Sequence, residues 1–85
     1  MSMSNPTREE ITAAVSGAVG EILPVVEPEE VRGDRHLKDL GADSLERVEI
    51  IMQVLDRLGV RVPLAEFASL PDIDAMVDLL ERRSA

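Results

Sequence analysis

The chain has no cysteine, tryptophan or tyrosine, and Phe67 is its only aromatic residue. Without cysteine there can be no disulfide and no thiolate-ligated zinc or iron–sulfur site. Any thiol chemistry on this protein must arrive on an attached group. Without aromatics there is no stacking platform for single-stranded bases. Basic residues are also scarce: nine Lys and Arg stand against seventeen Asp and Glu, for a net charge of −8. That balance disfavours nucleic acid and anionic membranes and favours partners with basic patches. No apolar run is long enough to span a bilayer, and Met1 to Pro6 has no signal-peptide pattern. The expected location is the cytoplasm.

What is present suits one small folded domain. A chain of 85 residues buries only roughly 60–65% of its unfolded surface, so a single core is the limit. The composition is 45% apolar and 31% charged, which fits a folded domain better than a disordered tail. The core must be built from Val, Leu, Ile, Met and Ala. No internal repeat or low-complexity segment is visible.

The helix signals are local and clear. Residues 1–6 are expected to be flexible, with a single domain over 7–83. Thr7-Arg8-Glu9-Glu10 reads as a capping box. Apolar residues follow at helical spacing through Ile11, Ala14, Val15, Ala18, Val19 and Ile22, and Pro24 stops the helix. A long connection over 24–43 is expected to carry a turn of helix near Arg35–Asp39. Val25, Val31, Leu37 and Leu40 are expected to pin it to the core. Asp43 with Glu46 forms a second capping pair, opening a helix over Ser44–Leu58 that Gly59 closes. Apolar residues occupy more than one stripe of this helix: Leu45, Val48, Ile50, Ile51, Met52, Val54, Leu55 and Leu58. Part of that surface is therefore available to partners or faces a second packed layer. Pro63 opens a short helix to Ala68, and Ser69-Leu70-Pro71-Asp72 caps a last one with Ile73, Met76, Val77 and Leu80 inward. The expected fold is an all-α bundle of three longer helices and one short one, with a long first loop.

The residue that stands out is Ser44, in Asp39-Leu40-Gly41-Ala42-Asp43-Ser44-Leu45. Asp43 already supplies the cap, so Ser44 is not needed as one. Gly41 permits a tight turn and Ala42 is small, which leaves the hydroxyl open to a large visiting active site. A catalytic serine would need a base, an orienting group and an oxyanion hole. The only histidine, His36, with Asp34 or Asp39, is the sole triad that can be drawn. So short a chain has little room to enclose a substrate, and His36 reads as a solvated loop residue. The carboxylates are scattered and show no calcium-loop spacing, so no metal site is expected. Glu27, Glu29 and Glu30 read as a solvated face.

The stretch Asp39-Leu40-Gly41-Ala42-Asp43-Ser44-Leu45, followed by Val48-Glu49-Ile50, resembles the signature of acyl carrier proteins, and the whole chain follows that family's layout. The resemblance implies a four-helix carrier bundle that is not itself an enzyme. It implies that a magnesium-dependent phosphopantetheinyl transferase esterifies Ser44 with 4′-phosphopantetheine from coenzyme A. Asp43 and Leu45 flank that attachment. The thiol of the arm would carry acyl groups as thioesters. Acyltransferases or ketosynthases are the implied partners, and a monomer is expected. Glu46, Arg47, Val48, Glu49, Met52 and Phe67 are the expected partner contacts, with Val48 and Met52 also candidates for touching an acyl chain.

Within that family the charge pattern points away from housekeeping fatty-acid carriers, which have a strongly acidic second helix. From Ser44 to Val62, Glu46, Glu49 and Asp56 are balanced by Arg47, Arg57 and Arg61. Arg47 and the stretch Val62-Pro63-Leu64-Ala65-Glu66-Phe67 resemble discrete polyketide carriers, most of all those that donate acetyl to a hydroxymethylglutaryl-synthase-like enzyme in β-branching cassettes. Arg47 would then help dock on that enzyme; as a plain surface charge it would only aid solubility. A fatty-acid carrier is the alternative within the family. An unmodified helical interaction module is the alternative outside it. The capped first helix and the short tail Ser84-Ala85 suggest a free-standing protein.

Overall fold

A computed structural model describes residues 5–84. Three α-helices, α1 (Arg8–Ile22), α2 (Ser44–Leu58) and α3 (Ile73–Ser84), are joined by segments that carry single 3₁₀ turns at Pro28–Glu30, Leu37–Leu40 and Leu64–Phe67. Among the described residues there is no strand, so the all-α bundle stands as expected. The short fourth helix is a single 3₁₀ turn. The expectation of a flexible N-terminus falls mainly on residues 1–4, which lie outside the described residues.

Helix α1 starts where the capping box places it. The Glu10 backbone N–H donates to Thr7 Oγ1 at 3.1 Å, and the Thr7 N–H donates to Glu10 Oε1 at 2.7 Å. Its inward face, Ile11, Ala14, Val15, Ala18 and Val19, is buried. This face packs along both α2 and α3, whereas α2 and α3 scarcely approach each other directly. Two arginines tie the helices together at the surface. Arg8 donates to Asp78 at 2.6 Å and Glu81 at 3.1 Å on α3, and the Asp78 hydrogen bond is the main reason its pKa is raised. Arg57 on α2 donates to Gln53 and to Glu21 of α1, each at 3.1 Å. Its guanidinium lies where a side chain on residue 17 would stand, so Gly17 leaves room for it.

The long connection is more structured than its sequence implies. Leu37 and Leu40 are buried and Val31 packs against the core, but Val25 is 87% exposed. The turn after Pro24 explains this correction. The Val26 N–H returns to the Leu23 carbonyl at 3.0 Å, so Val26 takes the inward place and Val25 points out. Further along, the carbonyls of Gly33 and Arg35 accept the N–H groups of Asp74 and Ile73, each at 2.9 Å. The connection thereby satisfies donors that the start of α3 would leave open. Asp72 adds a cap, its Oδ1 accepting the Ala75 N–H at 2.8 Å.

Candidate functional site

Ser44 is the first residue of α2 and is exposed. Two features hold it there. Gly41 adopts φ 96°, closing the turn Leu37–Leu40 in a conformation that glycine adopts without penalty. Asp43 then caps α2, its Oδ1 accepting the Glu46 N–H at 2.7 Å while Glu46 accepts the Asp43 N–H at 3.1 Å. At the other end Gly59, at φ 66°, closes the helix, with the Val60 N–H returning to the Leu55 carbonyl at 3.1 Å.

The serine hydroxyl has a partner, and it is not a base. Arg47 Nη2 donates to Ser44 Oγ at 3.2 Å. A guanidinium is always protonated and cannot take a proton from the serine. His36 is turned to its own loop: its Nδ1 accepts the Lys38 N–H at 2.9 Å and its backbone N–H donates to Asp39 at 3.1 Å. His36 is thus a half-buried turn cap rather than a freely solvated residue. Among the described residues no bond links His36 to Ser44, and no three His, Asp or Glu side chains gather as metal ligands.

Beside Ser44 opens a cavity of about 310 Å³, in the gap left between α2 and α3. Its wall is apolar: Leu37 from the connection, Val48 and Ile51 from α2, Leu64 and Phe67 from the turn at 64–67, and Leu70, Ile73 and Met76 from the α3 side. Ser44, Arg47, His36 and Asp72 provide its polar groups. The helix period explains the α2 contribution, because residues 44, 48 and 51 share one face.

The expected contact residues divide accordingly. Leu45, at 68% exposure, and Met52, at 55%, stand on the outer surface with Glu49. Val48 is partly exposed and also lines the cavity. Glu46 is committed to the cap and Arg47 to the serine. Phe67 is only 7% exposed, so it is core and cavity wall rather than an outer contact. Its place in the chain, at the end of a proline-led turn, does not reveal that burial. His36 and Asp72 are further residues of the site, and their polar side chains gave no signal of a shared cavity.

Residues 13–80 match the family described as "Phosphopantetheine attachment site". The chain is 41% identical over 83 residues to the acyl carrier protein of Rhodococcus erythropolis, covering 93% of this chain and 90% of that one. It is 34% identical over 82 residues to the meromycolate extension acyl carrier protein of Mycobacterium tuberculosis, covering 92% and 70%. With the polyketide biosynthesis acyl-carrier-protein AcpK of Bacillus subtilis it shares 33% identity over 60 residues, covering 71% and 73%.

Proposed function

From the membership of this chain in the phosphopantetheine-attachment family of acyl carrier proteins, we propose that Ser44 bears the 4′-phosphopantetheine arm. Proteins of this family are carriers, not catalysts, and work with synthase enzymes such as acyltransferases and ketosynthases. The observation that carries the reading is the exposed Ser44 hydroxyl, held at the first position of a capped helix. The residues around it fit a phosphodiester. The N-terminal end of a helix dipole favours an anion, and the Arg47 guanidinium lies 3.2 Å from the oxygen that would be esterified. In the loading step Ser44 Oγ would bond to phosphorus as the anhydride bond of coenzyme A breaks. The nucleotide would leave with the electron pair, and the hydroxyl proton would pass to the transferase. The arm supplies a thiol that holds acyl groups as thioesters. This chain's contribution is to present the attachment point, keep it accessible and offer a surface to each enzyme.

The test is intact mass after incubation with coenzyme A, magnesium and a broad-specificity phosphopantetheinyl transferase. One addition is expected on the wild type and none on Ser44→Ala, with both variants equally helical by circular dichroism. No addition on folded wild type would overturn the reading.

Within the carriers we favour polyketide biosynthesis, with acetyl donation to a hydroxymethylglutaryl-synthase-like enzyme. Support comes from the charge-balanced α2 and from Arg47, since complementary charge selects partners. The likeness to a protein named for polyketide biosynthesis adds to it. Acetyl transfer from the loaded carrier to such an enzyme, weakened by Arg47→Ala and more by Arg47→Glu, is the expected result. Absence of transfer would favour a lipid-directed carrier instead. That second reading draws on the apolar cavity and on the relative named for meromycolate extension.

A further inference from the structure

Among the described residues Arg8, Arg32, Arg57 and Arg83 each pair with a carboxylate and Arg35 donates to the Asp39 backbone carbonyl, whereas Arg47 donates to a side-chain hydroxyl. Two neighbouring carboxylates are engaged elsewhere. Asp43 and Glu46 accept each other's backbone N–H groups. Arg47 instead donates to a neutral hydroxyl, Ser44 Oγ, one helical turn back. It uses one of five N–H donors to do so. Both residues line the same cavity.

We propose that Arg47 is the intramolecular counter-ion of the phosphodiester on Ser44 and holds the first part of the arm over the mouth of the cavity between α2 and α3. The inference rests on Ser44 being the attachment site. Esterification would place anionic oxygens one bond beyond Oγ, within the reach that Arg47 already spans. The present bond joins a cation to a neutral hydroxyl; with the phosphodiester in place both partners are charged, and the contact becomes an ion pair as well as a hydrogen bond. The guanidinium fork can take two of those oxygens at once, whereas a lysine at 47 would act as a point charge. Asp43 and Glu46 place two negative charges at the same helix end, and Arg47 offsets their repulsion of the phosphate. The interaction needs no partner enzyme, which separates it from a docking role.

The experiment uses ¹⁵N-labelled apo and holo protein without any partner, for wild type, Arg47→Gln and Arg47→Lys, with intact mass measured on every sample. On conversion to holo, the Arg47 Nε–Hε resonance of the wild type is expected to shift and to exchange with solvent about fivefold more slowly. The ³¹P resonance of holo Arg47→Gln is expected to differ from wild type, with Arg47→Lys between them. An Arg47 resonance that is the same in apo and holo, with one ³¹P shift for all three proteins, would overturn the counter-ion. Failure of folded wild type to gain the arm would overturn the attachment reading itself, and the counter-ion with it.

Discussion

The Asp74 carboxylate fills the space where a side chain on Gly33 would stand, while the Asp74 backbone N–H donates to the Gly33 carbonyl at 2.9 Å. The long connection is thereby laid against the first turn of α3, and His36 and Leu37, a few residues further on, line the cavity. Gly33→Ala must push the carboxylate aside. Asp74 is largely exposed and can rotate, so the cost should be modest, about 1 kcal/mol. A domain of this size would lose about 4–8 °C in melting temperature. In an Asp74→Ala background the same substitution should cost almost nothing. A thermal-melt double-mutant cycle measures the coupling; additive effects would show that the contact does not limit the backbone here.

Asp43 is the cap on which the placement of Ser44 depends. Asp43→Ala removes the acceptor of the Glu46 N–H and should cost about 1 kcal/mol by urea unfolding. Asp43→Asn keeps an acceptor oxygen and should lose only a fraction of that. If Asp43 acted solely through its charge, the two variants would fall together.

These local devices were legible in the sequence because their partners lie three or four residues apart. The boxes at Thr7 and Asp43, the bounds of α2 and the closing Gly59 all follow from short-range spacing. Features set by long-range packing were not. Nothing near Val25 says that Val26 would take the inward place. His36 looks like a solvated loop residue until the turn brings the Lys38 N–H onto its imidazole. The Ser44–Arg47 bond depends on a rotamer of a long side chain, which no spacing fixes. The cavity is likewise an outcome of how α1 holds α2 and α3 apart, although Ile51, Ile73 and Met76 each announce themselves as apolar.

The apolar residues of α2 should separate into two classes when substituted. Ile50 is fully buried and Val54 nearly so. Ile50→Ala should cost about 2–5 kcal/mol, a large share of the total stability of a small domain. Met52→Gln should stay within about 0.5 kcal/mol, because that side chain stands largely in solvent. If Met52 contributes to docking, the same variant should raise the KM of a cognate acyltransferase for the carrier without changing the melt. Equal losses of stability at both positions would show that the outer stripe is packed.

Phe67 offers the sharpest contrast between a surface role and a buried one. A residue used only for docking could be shortened with little effect on folding. Here the ring lies within the core and forms part of the cavity wall. Phe67→Ala removes the only aromatic in the chain and leaves a void that the rest of the wall fills only partly. The expected cost is about 3–5 kcal/mol, enough to populate the unfolded state visibly. Phe67→Leu retains most of the volume and should cost about 1.5 kcal/mol or less. Urea unfolding of both variants measures the difference. An unchanged midpoint for Phe67→Ala, together with lost acyl transfer, would return the residue to the docking surface. A lowered midpoint that tracks the volume removed establishes it as the wall between the core and the cavity beside Ser44.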